Sequence, residues 1–251
     1  MRPPTPAGFG RLKAHPPYAA PGQAIGLLGG SFNPPHVAHR MISETALKRA
    51  GLDKIWWIVS PGNPLKKRSD TAPLPQRLVL CRGVAKNPHI TVTDFEKDLQ
   101  TPYTASTLAY LKTRSPLVRY VWVMGADNLA TFDRWQRWRE IFIMVPIVVV
   151  DRPGWRLKAL ASKAARTFAA SRVPESEAAG LALRPAPAWT FLTGPLSHVS
   201  STTLRNRGRR GGEAVAKKSH ATGELPWKKA AAEAEPGASG SEPSPGSGQG
   251  S

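Results

Sequence analysis

Gly29-Gly30-Ser31-Phe32-Asn33-Pro34-Pro35-His36-Val37-Ala38-His39 is the first stretch whose residue types could do chemistry. Paired glycines let a backbone come close to a ligand and turn amides toward an anion. Pro34 and Pro35 stiffen the approach to a helix. His36 and His39 are three apart, so on that helix they share one face. They lie in its first turn, where partial positive charge attracts phosphate. The plainer readings are a surface pair or two thirds of a metal site. No third ligand stands at zinc-type spacing, so coordination of a metal by the pair is rejected. The stretch is neither a P-loop, which needs Gly-Lys-Ser/Thr, nor a dinucleotide Gly-x-Gly-x-x-Gly. A second stretch, Val199-Ser200-Ser201-Thr202-Thr203-Leu204-Arg205, offers an N-cap and free amides at a helix start, with Arg205 a turn later to hold a phosphate. Standing alone it could be no more than a capped helix.

The elements that must position these residues alternate in kind. Apolar runs of strand length are Ala24–Leu28, Lys54–Ser60, Ile90–Phe95, Val118–Met124, Ile147–Val150 and Trp189–Leu192. Helical patterns fall between them. They are His36–Ala50 with a Gly51 stop, Pro75 or Gln76 to Lys86, Thr104–Thr113, short helices at Asp127–Phe132 and Trp135–Ile141, Leu157–Ala170, and a last one over Ser200–Arg207. Continuously apolar strands alternating with helices predict an α/β fold: a Rossmann-like, doubly wound parallel sheet with helices on both faces. Ligands in such sheets bind at the carboxyl ends of the strands, where the topology switches. Trp56, Trp57, Trp122 and Trp138 read as packing, and Arg134, Arg137 and Arg139 as a solvated basic face.

The chain has 251 residues, 41% of them hydrophobic, enough for a buried core and too apolar for a wholly disordered chain. Lys and Arg number 35 against 17 Asp and Glu, a formal charge of +18, so the partners should be anionic. Most of the excess, 25 basic against 12 acidic residues, lies in 24–205 rather than in a tail. Residues 1–23, with six prolines, read as a disordered leader, and 208–251 as a disordered Gly/Ser/Pro/Lys tail, leaving a single folded domain over 24–207. One cysteine, Cys81, excludes an intrachain disulfide and a Cys-based metal site. The longest strongly apolar run, Ile141–Val150, is broken by Pro146 and too short to cross a membrane. No secretory signal is evident, so the expected setting is cytoplasmic. A basic nucleic-acid-binding protein is the competing class. Aromatics are not interleaved with the basic residues as stacking platforms, and no nucleic-acid motif is found, so no nucleic-acid partner is expected.

Gly-x-Phe-x-Pro-x-His-x-x-His after a first strand resembles the nucleotidyltransferase superfamily, and the Ser200–Arg205 stretch resembles its Ile-Ser-Ser-Thr-x-x-Arg element. Asp98–Thr104, Met124–Leu129, Phe132–Trp138 and the Pro61–Lys66 loop are similar to the bacterial nicotinate-nucleotide adenylyltransferases. The motifs run in family order and cover about 24–207. One departure is Ala38, where that family usually has glycine just before the second histidine. The long tail is another.

That resemblance implies AMP transfer from ATP to nicotinate mononucleotide, yielding nicotinate adenine dinucleotide and pyrophosphate, with Mg²⁺ accompanying the ATP mostly through water. It implies catalytic roles for His36, His39 and Arg205 on the phosphates. ATP would be bound by Gly29, Gly30, Ser31, Phe32, Lys66, Gly125, Asp127, Ser201 and Thr202, with Asp127 on a ribose hydroxyl. Tyr103, Thr104, Trp135 and Gln136 would receive the mononucleotide, Trp135 stacking on the pyridine ring. The close alternatives are acceptors of the same superfamily, nicotinamide mononucleotide or phosphopantetheine; the Tyr103-Thr104 and Trp135 elements argue against the latter. Oligomeric state, the order of substrate binding and the role of the tail are left open.

Overall fold

The computed structural model describes residues 14–61, 71–99 and 103–194. Lys66, Ser201, Thr202 and Arg205, the last expected helix, residues 1–13 of the leader and the tail lie outside the described residues.

Six strands form one parallel sheet: β1 (Ala24–Gly30), β2 (Lys54–Val59), β3 (Ile90–Thr93), β4 (Arg119–Gly125), β5 (Ile147–Val150) and β6 (Trp189–Leu192). Their order is β3-β2-β1-β4-β5-β6, every pair parallel. The chain winds outward from β1 through β2 and β3, then crosses back to start β4 on the other side of β1. That reversal puts the switch point between the carboxyl ends of β1 and β4.

The strands are apolar throughout because both sheet faces are covered. Ile25, Leu27, Trp56, Ile58, Trp122, Met124, Ile147 and Val149 face one layer. Against it pack α3 (Thr104–Arg114), α4 (Ala126–Leu129), α5 (Trp138–Met144), α6 (Arg156–Leu160) and α7 (Lys163–Thr167). Ala24, Leu28, Ile55, Trp57, Val59, Val121, Val123, Val148 and Val150 face the other. There lie α1 (Val37–Arg49), α2 (Leu74–Val84) and a 3₁₀ stretch, Glu175–Leu183. The expected doubly wound architecture is therefore present, and all four tryptophans read as packing residues are buried. Among the described residues no helix is long and apolar enough to cross a membrane.

Several boundaries move, each for a local reason. The chain is packed before β1: Ala14 is buried, the Tyr110 hydroxyl donates to its carbonyl at 2.8 Å, and the Gly22 amide donates to Leu117 at 2.8 Å. Residues 14–23 thus do not share the disorder expected for the leader. The third strand stops at Thr93. Phe95–Leu99 coils into a 3₁₀ turn, the Phe95 amide 3.4 Å from the Thr93 hydroxyl. The helix expected over Leu157–Ala170 is split, because Ser162 takes an N-cap conformation and its hydroxyl accepts the Ala165 amide at 3.2 Å, starting a new helix. The helix expected from Trp135 begins at Trp138, since Trp135 is extended and Arg137 is left-handed with φ 56°.

Candidate active site

β1 ends in Gly29 and Gly30. At Gly29 a Cβ would stand 2.6 Å from the Trp122 ring, so the side chain of β4 can pass close over the end of β1 only because this residue is glycine. The chain then turns through Phe32, left-handed at φ 45°, and the cis Asn33–Pro34 bond, and reaches α1. His36 is the N-cap of α1, in extended conformation at φ −152°, with His39 in the first turn. Their ring centroids are 3.9 Å apart.

The two rings are fixed from several sides. The His36 amide donates to His39 Nδ1 at 3.2 Å. An acceptor Nδ1 leaves the proton on Nε2, so His39 presents an Nε2–H donor. Phe32 stacks on Trp57, centroids 5.1 Å apart, and leans on His39 at 4.8 Å. The Trp57 indole donates to the Ser43 hydroxyl at 2.8 Å, and that hydroxyl donates to the His39 carbonyl at 2.9 Å. Phe32 is only 2% exposed, so in this structure its side chain supports His39 from behind. His36 Nδ1 is buried and has no hydrogen-bond partner among the described residues.

The second wall comes from the carboxyl ends of β4 and β5. Gly125 is the N-cap of α4, and Asp127 lies in that helix's first turn. Arg152 follows β5 and donates through Nη1 to Asp127 Oδ2 at 2.5 Å. A Cβ on Gly125 would come within 2.5 Å of Asp127 Oδ1 and 3.0 Å of Arg152 Cδ, so a larger residue would disturb the pair. Asp127 Oδ1 is buried without a partner among the described residues. Asp151 holds the turn beyond: it accepts from the Arg152 amide at 2.8 Å and from Arg156 Nε at 2.7 Å. A shallow depression between α1 and β5 is lined by Met41, Ile42, Thr45, Val150, Asp151 and Arg152.

Arg152 belongs to no motif, yet its charge reaches both imidazoles. Burial, with Arg152 adding to it, pushes His36 down to about 4. Burial, His36 and Arg152 push His39 down to about 3, against the opposing hydrogen bond from the His36 backbone. Near neutral pH both rings are uncharged donors beside a guanidinium, a surrounding that favours an anion. The available sequence signal is position: Arg152 stands in the loop right after a parallel strand, where ligands gather.

On the other sheet face, Tyr103 is the exposed N-cap of α3 and Thr104 its first residue. Ala105 and Leu108 of that helix share an apolar layer with Trp135. Trp135 is half-buried, its ring 4.9 Å from Phe132 and 6.2 Å from Trp122. Trp122 thus links the Trp135 platform to the end of β1 at Gly29. Gln136 is exposed. Of the arginines read as a solvated face, Arg137 pairs with Glu140 and Arg139 stacks on Trp138 at 4.4 Å.

These depressed imidazoles make a stability prediction. The ordinary value for an unfolded histidine is 6.5, so between pH 6.5 and about 4 the unfolded chain takes up protons that His36 and His39 resist. Their contribution is full above pH 6.5 and is lost as pH falls through that window. Glu96 acts with the opposite sign. Burial pushes its carboxyl up to about 7 despite the Thr107 hydroxyl donating at 2.7 Å, so its ionisation costs the folded state as pH rises from 4.5. The readout is therefore a difference between variant and parent. His39→Asn should flatten the rise of urea-unfolding free energy between pH 4 and 6.5, by up to roughly 1.4 kcal/mol for each pH unit crossed. Parallel curves for variant and parent would mean that His39 is not held neutral.

The cytidylyltransferase-like family pattern matches residues 27–207. A probable nicotinate-nucleotide adenylyltransferase of Rhizobium meliloti is 56% identical over 183 residues, 73% of this chain and 97% of the relative. One of Methylorubrum extorquens is 52% identical over 183 residues, 73% and 99% of the two chains. The chain belongs to the nicotinate-nucleotide adenylyltransferase family. Members are nucleotidyltransferases, and this chain is an enzyme of that class. The fold is shared at greater distance by the nicotinic acid mononucleotide adenylyltransferase of Plasmodium falciparum, solved with NaAD. That protein has a TM-score of 0.55 and 17% identity over 73% of this chain and 83% of that one.

Proposed function

We propose that the protein transfers AMP from ATP to nicotinate mononucleotide, giving nicotinate adenine dinucleotide and pyrophosphate, a step of NAD synthesis. The observation that carries this reading is the meeting of two uncharged imidazoles with the Asp127–Arg152 pair at the sheet's switch point, 2.5 Å between its charged atoms. The relatives' names support the choice of substrates.

A phosphate oxygen of the mononucleotide attacks the α-phosphorus of ATP in line. The bond from that phosphorus to the bridging oxygen breaks, and pyrophosphate leaves. The nucleophile belongs to the substrate, so the protein supplies alignment and charge stabilisation. Cys81 fits a bystander's part, buried and pushed up to about 12.

His39 donates from Nε2 to the phosphates, and His36 adds a second imidazole beside it. Approach of the triphosphate draws protons toward both rings, since nearby negative charge favours the imidazolium. Arg152 adds fixed positive charge. Gly29, Gly30 and Ser31 approach the nucleotides through their backbone, and Phe32 acts through His39. Asp127, held by Arg152 on one oxygen, offers the other to a ribose hydroxyl. For Lys66, Ser201, Thr202 and Arg205, outside the described residues, the family resemblance implies phosphate-binding roles. Trp135, backed by Phe132 and Trp122, stacks on the pyridine ring. Tyr103, Thr104 and the backbone near Gln136 meet its carboxylate.

Among the described residues no cluster of three or more His, Cys, Asp or Glu could hold a metal ion. Asp127 is a hard oxygen donor beside the histidines, which suits an Mg²⁺ that would arrive on the triphosphate and keep most of its waters. Asp127 Oδ1, buried without a partner among the described residues, would accept a hydrogen bond from a water of that ion when it is not on the ribose. That ion would supply screening of phosphate charge.

Pyrophosphate release with ATP and a panel of mononucleotides tests the reading. Turnover with nicotinate mononucleotide should exceed that with nicotinamide mononucleotide by at least about tenfold, the discrimination one polar contact gives. A preference for the amide would reassign the acceptor, and no turnover with either would overturn the reading.

A further inference from the structure

Arg77, on the second turn of α2, is 1% exposed. Among the described residues no carboxylate pairs with it. Its donors go to four backbone carbonyls instead. Nε reaches Ala72 at 2.8 Å, Nη1 reaches Ser31 at 2.7 Å and Ser60 at 2.8 Å, and Nη2 reaches Pro61 at 3.3 Å. Asn33 adds a strut, its side-chain oxygen accepting the Ala72 amide at 3.2 Å, and the Ser60 amide donates to Gly30 at 2.9 Å.

A buried guanidinium whose described partners are all backbone carbonyls is a poor device for stability alone. Desolvating it is costly, and apolar residues of similar volume often serve a core as well or better. What the planar guanidinium offers is geometry: several donors in one rigid fork, aimed at acceptors from different segments. Here those segments are the chain leaving β1, the chain leaving β2 and the lead into α2. The first of them continues directly into Phe32 and the His36–His39 pair.

We infer that Arg77, with Asn33, is a positioning residue for adenylyl transfer. It staples the exits of β1 and β2 together and so sets where Ser31, Phe32 and the two imidazoles stand. This rests on the reading of the site given above. In-line attack is sensitive to placement, and a displacement near 1 Å costs about a hundredfold in rate. The effect should therefore fall on kcat more than on KM.

The test uses the full chain. Lysine at this position keeps the charge but cannot span four carbonyls. Arg77→Lys should fold at 25 °C, with kcat for pyrophosphate release down at least about tenfold and each KM within about threefold. Val148→Ala, a cavity in β5 away from these loops, is the comparison. It should lower the melting temperature at least as much and leave kcat within about twofold. Asn33→Ala removes one strut without touching the buried charge, and should lower kcat about threefold or more with near-native melting. Arg77→Lys with kcat within twofold of the parent overturns the inference. If Arg77→Lys does not fold, native kcat in Asn33→Ala overturns it. Amide hydrogen exchange separates this from failure of the substrate reading. Even if the parent turns over neither mononucleotide, exchange at Ser31, Phe32 and Ser60 should speed up in the variants, and unchanged exchange overturns the staple.

Discussion

Replacing His36 with alanine is expected to cut pyrophosphate release by at least about a thousandfold, while far-ultraviolet circular dichroism stays native. Removing one preorganised donor that meets developing charge costs about 10²–10³ in kcat. His36 does more than donate. Its ring lies 3.9 Å from that of His39 and forms one side of the pocket holding it, so the truncation also loosens the second imidazole. The fold should survive because the groups that start α1 are in the backbone. The His36 amide still donates to His39 Nδ1, and the His36 carbonyl still accepts the His39 amide at 2.9 Å. Loss of a buried ring at a helix start should cost stability by about 1–2 kcal/mol. Near-normal turnover in a folded His36→Ala protein would remove the imidazole from the mechanism.

Arg152→Ala should lower kcat/KM for ATP by about a hundredfold, or about 2.7 kcal/mol of transition-state stabilisation. Two effects add. A cation next to the phosphates is lost, and Asp127 is left as an uncompensated carboxylate where anions must bind. The side chains of Arg152 and Asp127 are 14% and 26% exposed, so solvent softens the second effect without abolishing it. A spectroscopic readout accompanies the kinetics. Arg152 is one cause of the depressed titration of both imidazoles, so its removal should move His36 and His39 upward toward 6.5. Nitrogen chemical shifts followed through pH 3 to 7 report this without substrate. Unmoved imidazole titrations, together with an unchanged KM for ATP, would place Arg152 outside the site. Arg152→Lys should restore part of the binding, because the charge returns without the fork that grips Asp127.

The histidine wall was legible because its parts are contiguous: glycines, prolines and imidazoles over eleven residues report one turn between one strand and one helix. The sheet was legible for a similar reason, since strands apolar on both faces leave one architecture. Arg152 carried a weaker signal, its position after β5. Arg77 carried none: on an amphipathic helix an arginine reads as solvated, and only tertiary structure brings four carbonyls around it. The 3₁₀ stretch Glu175–Leu183 was also missed. It follows Pro174 and is rich in alanine, with nothing in its pattern to mark a period, yet Ala178 and Leu181 cover the sheet. Its start is fixed by Glu175, which accepts the Thr193 amide at 2.6 Å and pairs with Arg49 Nη2 at 2.6 Å. Those contacts join residues far apart in sequence.

The most direct test is a crystal structure of the full chain with a non-hydrolysable ATP analogue and Mg²⁺. The triphosphate should lie against the rings of His36 and His39, with the ribose within hydrogen-bond reach of Asp127 Oδ1. A triphosphate bound away from the first turn of α1, with both imidazoles facing solvent, would contradict the proposed site.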